Sequence, residues 1–168
     1  MPSIQMRQYI PEAFCLSCKG CCTFAEKDSI WAPVLLREEM KELVCDDKVP
    51  PMAIARDNTL RLREAPKTGA YECPLFDAAH ARCSIYAVRP FECRLYPFLI
   101  HRKGKNIFLA LHTRCRFLSS RGAESGFKDY GAYMLDFFKT QGLALIKDNP
   151  HLAREYPQEE ILIVAPVQ

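Results

Sequence analysis

The chain has 168 residues, 49% of them hydrophobic and 26% charged, with 23 Lys+Arg against 20 Asp+Glu for a formal net charge of +3. That charge is too small to argue for a nucleic-acid or anionic-membrane partner, and no run approaches the roughly 20 apolar residues that cross a bilayer. The totals suit one globular domain over 1–168. The nine cysteines, at 15, 18, 21, 22, 45, 73, 83, 93 and 115, are the anomaly. Their odd number is awkward for a disulfide framework, and Met1 to Tyr9 has no apolar leader. A reducing cytoplasm is the expected compartment, where clustered cysteines more often bind metal or do redox chemistry than form bridges.

In chain order, residues 10–30 carry the dense cysteine run and are expected to form an irregular loop. Pro33 suits a first helical position. Leu36, Met40, Leu43 and Val44 then fall on one helical face, and the helix ends near Cys45, before Val49-Pro50-Pro51. Cys45 is read as a core thiol. Leu60 to Arg63 alternates apolar and basic residues, which predicts a half-exposed strand. Residues 71–98, rich in proline and cysteine, are expected to wrap a metal site. Tyr96–His101 and Asn106–Leu111 predict a hairpin closed by Arg102-Lys103-Gly104-Lys105. Phe127, Tyr130, Met134 and Phe138 predict an amphipathic helix over about 124–140, its aromatic face in the core, with Gly142 as its stop signal. Ile161–Val164 reads as a last strand. The sum is a small, irregular α+β domain with metal-bound cysteine-rich loops, a hairpin and two or more amphipathic helices.

The strongest local signal is Cys15-Leu-Ser-Cys18-Lys-Gly-Cys21-Cys22. Its C-x2-C-x2-C part can aim three thiolates at one centre, the spacing of bacterial-type ferredoxins, and Gly20 lets the backbone turn closely. Side chains of adjacent residues diverge, so Cys21 and Cys22 are expected to serve two metals, or one of them to bridge. A tetrahedral site takes four ligands. Without Cys45, eight cysteines fill two such sites, or one cluster plus a second ion. Lys19, Arg82, Arg94, Arg114 and Arg116 sit next to cysteines, where cations lower thiol pKa values and offset thiolate charge. His112, three residues before Cys115, is an alternative ligand; His80, His101 and His151 read as surface residues.

Further pieces join that loop: Cys73-Pro74-Leu75-Phe76, and Cys83-Ser-Ile85-Tyr86-Ala-Val-Arg89-Pro90-Phe-Glu-Cys93-Arg94-Leu-Tyr96-Pro97-Phe98. With them the chain resembles the CxxCxxCC (YkgJ-like) family of zinc- or iron-chelating proteins over about residues 15–115, leaving 120–168 as a helical extension. The resemblance implies a metal centre held by eight cysteines: Cys15, Cys18, Cys21, Cys22, Cys73, Cys83, Cys93 and Cys115. A related pattern occurs in the longer flagellin lysine methylases, but no glycine-rich S-adenosylmethionine loop is visible here. Arg89 and Arg94 are read as donors to thiolates or sulfides behind the ligands. Pro90 and Pro97 would fix the turns that aim Cys93, and Tyr86, Phe91, Tyr96 and Phe98 would shield the site. Thiolates suit both iron and zinc. The ferredoxin-like triplet, Cys73-Pro74 and the aromatic shield lean toward a [4Fe-4S]-type iron–sulfur cluster, whereas the surplus cysteines lean toward zinc. The function expected is electron transfer or metal handling. The alternatives are a structural, metal-stapled domain that docks to a protein partner, and a methylase-like enzyme.

Overall fold

The computed structural model describes residues 4, 6–66, 68–121 and 126–167. Helices and small antiparallel sheets make it an α+β protein, and its chain divides into two compact units, Met1–Arg94 and Leu95–Gln168. Among the described residues no helix is long and apolar enough to cross a membrane.

The first unit opens with α1 (Glu12–Cys18), a 3-10 turn (Gly20–Cys22) and β1 (Thr23–Phe24). The expectation of an irregular loop over 10–30 is therefore corrected in part. A helix forms because Pro11 starts it, with the Cys15 N–H reaching the Pro11 carbonyl at 3.0 Å, and Glu12 faces the positive end of the backbone dipole. Lys19 ends it in the left-handed region, φ 56°. The reversal expected of Gly20 thus belongs to its neighbour.

Next comes α2 (Arg37–Cys45). Pro33 does not begin it, because Pro33 to Leu36 is held extended: Val34 bridges Thr59, the Leu35 N–H donates to Asn58 O (2.9 Å), and the Leu60 N–H donates to Pro33 O (2.8 Å). The helix ends where predicted, but Cys45 is exposed and is not a core thiol. Leu43 is the buried residue of α2, and Cys45, two positions on, lies off that face. The alternation after Leu60 holds in burial, with Leu60 and Leu62 inside and Arg61 and Arg63 outside, but the strand itself, β2, covers only Arg63–Glu64.

Strand β3 (Tyr71–Glu72) lies between β1 and β2, antiparallel to both. Glu72 is buried opposite Arg63, whose Nε donates to it at 2.8 Å while another guanidinium nitrogen reaches Phe76 O at 2.6 Å. Strands β4 (Phe76–Asp77) and β5 (Arg82–Cys83) form a two-stranded ribbon, and α3 (Phe91–Leu95) ends at the boundary of the unit. Phe24, Leu35, Leu43, Leu60 and Leu75 are central to its core, with Cys22 and Cys83 packed against it.

The second unit is a sheet of β6 (Phe98–Lys103), β7 (Asn106–His112) and β8 (Ile161–Pro166) in that order, with α4 (Arg116–Arg121), α5 (Phe127–Phe137) and α6 (Leu143–Asp148). The predicted hairpin is present with a tighter turn. Lys103 faces Asn106, so only Gly104 and Lys105 connect the strands, and Gly104 supplies φ 62°. His101 is a correction: at 1% exposure it is a core residue. The segment after Ala153 runs beside β6 and covers it, so the His101 Nδ1 accepts the Tyr156 N–H (3.2 Å) and Nε2 faces the Gln158 amide (3.1 Å).

Burial holds the His101 pKa below its ordinary value. The sign follows from linkage: the unfolded chain binds the proton more readily, so the contribution is full above about pH 6.5 and is lost as pH falls through the folded value. Hydrogen exchange at β6 amides should therefore accelerate between pH 7.5 and 5.5, after correction for intrinsic rates. Substitution by Gln should flatten that acceleration.

Tyr130, Met134 and Phe138 are buried as the helical spacing predicted; positions 124 and 125 of the predicted helix lie outside the described residues. Gly142 does not stop the helix. After α5 a π-turn (Phe138–Gly142) continues straight into α6. A Cβ on Gly142 would lie 2.1 Å from Phe138 Cδ1, and that ring is 0% exposed. Glycine is thus required by packing. Ala at a helical glycine ordinarily gains about 1 kcal/mol, but overpacking a core costs about 1–3 kcal/mol. Gly142→Ala should lower the melting temperature, whereas Gly131→Ala, with nothing within 4 Å of its Cβ, should raise it.

Candidate metal centre

Seven of the eight motif cysteines fall in the first unit and Cys115 in the second. Cys15 and Cys18 stand three apart on α1, hence on one face. The left-handed Lys19 then turns the chain so that Cys21 and Cys22 follow in the 3-10 turn. The Cys73 N–H donates to Cys22 O at 2.9 Å, which ties the end of β3 to that turn. Cys83 lies on β5 opposite Phe76, and Cys93 lies on α3.

These placements bring thiols together. Cys21 interacts electrostatically with Cys15, Cys22, Cys73, Cys83 and Cys93. Cys21 and Cys22 are neighbours in the 3-10 turn, where consecutive side chains stand closer than in an extended chain.

Burial is the leading cause that pushes the Cys15, Cys73, Cys83 and Cys93 thiols up, and Cys73 reaches about 12. At Cys21 the interaction with the neighbouring Cys22 comes first and burial second. Mutual repulsion adds to this, while Arg89 acts against it at Cys15, Cys21 and Cys83. Metal-free, these groups are protonated thiols. Among the described residues no group of three or more His, Cys, Asp or Glu side chains is placed so that it could hold a metal ion.

Arg89 is buried, at 6% exposure. It donates to Cys15 Sγ at 3.3 Å and to Gln8 Oε1, and its guanidinium lies 4.0 Å over the Tyr86 ring. Arg94 turns elsewhere: it donates to Ile4 O at 2.9 Å and sits 3.5 Å from the Glu39 carboxylate. In both residues the Nε donor is buried without a hydrogen-bond partner. An unsatisfied buried donor costs about 1–3 kcal/mol. One buried guanidinium, that of Arg89, with a spare donor beside soft, uncharged thiols suits a group that turns those thiols into thiolates. The donor set therefore fits zinc or iron.

The aromatic shield is only partly as expected. Phe91 is fully buried beside Cys93 in sequence. Phe98 instead packs on Phe127 and Tyr130, with ring centroids 5.5 and 5.3 Å away, inside the second unit. Tyr96 points its hydroxyl at His112 Nδ1 (3.0 Å), and His112 Nε2 lies 3.7 Å from Glu160. His112 and the buried Cys115 thus share the second unit. His80 and His151 are exposed, as expected.

Sequence reasoning missed Gln8, Glu39 and Glu92. Glu92 accepts the Val34 N–H at 2.5 Å, and Glu39 accepts both the Leu36 N–H (3.0 Å) and the Phe91 N–H (2.6 Å). Only Glu39 left a trace in the sequence, as an acid at the third position of a helix, where it can cap the preceding N–H.

The CxxCxxCC family model, described as "Putative zinc- or iron-chelating domain", matches residues 14–116, well over half of the chain. No curated protein and no solved structure matches it.

Proposed function

The chain belongs to the CxxCxxCC family of zinc- or iron-chelating domains, and from that premise we propose that its thiols hold a multi-cysteine iron–sulfur centre, [4Fe-4S]-type, used in electron transfer or metal handling. The observation that carries the reading is the convergence of five thiols on Cys21, with a buried guanidinium on Cys15. Cys15, Cys21, Cys73, Cys83 and Cys93 are the core of the proposed ligand set. Cys22 and Cys18 join through the same loop, and Cys115 through the family pattern. When bound, such a centre supplies reversible one-electron chemistry. The residues of the chain would hold it, and Arg89 would lend positive charge to the thiolates. A reducing cytoplasm is the compartment that keeps such thiols available.

Anaerobic purification followed by absorption spectroscopy and elemental analysis tests this. A brown protein carrying iron and acid-labile sulfide supports it. A colourless protein with stoichiometric zinc overturns the cluster and leaves metal chelation.

One observation favours a second reading, a metal-stapled domain that docks to a protein partner. Cys73 is at once a proposed ligand and part of the hydrophobic core, and the proposed ligands Cys22 and Cys83 pack against that core. Metal and fold would then be linked. Chelator treatment should expose buried amides throughout the first unit while β6–β8 of the second keep their exchange protection. Unchanged exchange in the first unit would sink this reading.

A further inference from the structure

We infer that Glu39 is a positioning residue for the Cys93 thiol: from α2 it fixes the short helix that presents this cysteine to Cys21, Cys73 and Cys83. The inference rests on the metal-chelating reading above. Cys93 lies in the five-residue helix α3, and a helix that short has no stability of its own. Its first N–H groups have no partner within the helix. The Glu39 Oε1 supplies one, accepting the Phe91 N–H at 2.6 Å, while its Oε2 accepts the Leu36 N–H at 3.0 Å.

The same Oε1 lies 3.5 Å from the Arg94 guanidinium. From the other direction, Glu92 accepts the Val34 N–H at 2.5 Å. Phe91, Glu92 and Arg94, the residues that surround Cys93 in sequence, are thus each tied to the segment 34–39. The Arg94 side chain is held further by Ile4 O, at 2.9 Å. Rotation of α3 would break these bonds together, so the direction of the Cys93 thiol is set from α2. Groups behind a ligand that fix its orientation typically change metal affinity by about 10–100-fold.

Zinc-loaded and metal-free protein should be alkylated with iodoacetamide and each cysteine followed by peptide mass mapping, for wild type, Glu39→Ala, Glu39→Gln and the exposed neighbour Glu38→Gln. In zinc-loaded wild type and Glu38→Gln, Cys93 should be as protected as Cys21 and Cys73. In Glu39→Ala, Cys93 alone should react at least about tenfold faster and zinc affinity should fall about 10–100-fold. Glu39→Gln keeps one acceptor oxygen and should recover most of both. Equal labelling of Cys93 in Glu39→Ala and wild type overturns the inference, and so does faster labelling of every thiol together, which reports general unfolding. If wild type takes up no zinc and no iron, the chelating reading fails. The metal-free samples then judge Glu39 alone, by whether Cys93 labels faster relative to Cys73 in Glu39→Ala.

Discussion

Replacing Cys21 with serine should strip metal from the purified protein, while Cys45→Ser should leave it fully loaded. Cys15, Cys22, Cys73, Cys83 and Cys93 each interact electrostatically with Cys21. Cys45 sits exposed at the end of α2. Serine preserves shape but is a poor ligand for a soft metal. A structural zinc site contributes roughly 10–16 kcal/mol, so one thiolate of four carries on the order of 3 kcal/mol, about a hundredfold in affinity. If Cys21 bridges two ions, both would be lost. Elemental analysis of the two variants, purified side by side, reads the result. Full occupancy in Cys21→Ser would remove Cys21 from the ligand set and with it the central argument for one convergent centre.

The contrast between these two cysteines also marks where sequence reading works. Spacing sets Cys45 apart from the motif, because chelation imposes distances along the chain that a lone thiol does not share. Its burial was misjudged because the phase of α2 is fixed by Leu43 and by the extended Pro33–Leu36 run, whose partners Asn58, Thr59 and Leu60 lie about 25 residues away. Elements with a strong period, the 98–112 hairpin and the helix from Phe127, were legible because burial on one face repeats. Short pieces were not. Seven-residue α1 and two-residue β1 to β5 have no period to display, and they exist through tertiary ties such as Cys73 N–H to Cys22 O. His101 and Gly142 failed for a related reason. Each was assigned from residue type, polar outside and glycine at a helix end, while the covering segment after Ala153 and the Phe138 ring decided the outcome. At the candidate site the cysteines stand out by their spacing, whereas Glu92 is an ordinary acid in the sequence and Glu39 shows only as an acid in the first turn of α2. Their role appears only once Val34, Leu36 and Phe91 present backbone donors to them.

Arg89→Met should weaken metal binding and, at the same time, leave the metal-free protein as stable or more stable. The two signs come from one guanidinium in two electrostatic settings. Metal-free, it is buried against a Cys15 thiol that burial keeps protonated, with Gln8 and the Tyr86 ring as its other neighbours and its Nε unsatisfied. No carboxylate forms a salt bridge with it among the described residues. A buried cation so poorly compensated is a net cost, and exchange of buried charge for an apolar side chain of similar volume is often neutral or stabilising by about 1–4 kcal/mol. Metal-loaded, the same thiols are thiolates, and the charge and donors of Arg89 then oppose their repulsion. Its loss should cost about 10–100-fold in affinity, the range for groups that support metal ligands. Arg89→Lys should fall between the two, since an ammonium keeps the charge but cannot reach Cys15 and Gln8 with one planar fork. Urea unfolding of metal-free protein and competitive chelator titration of loaded protein separate the effects. A variant destabilised by several kcal/mol without metal would show that Arg89 serves the fold first, and an unchanged metal affinity would show that it does not serve the centre.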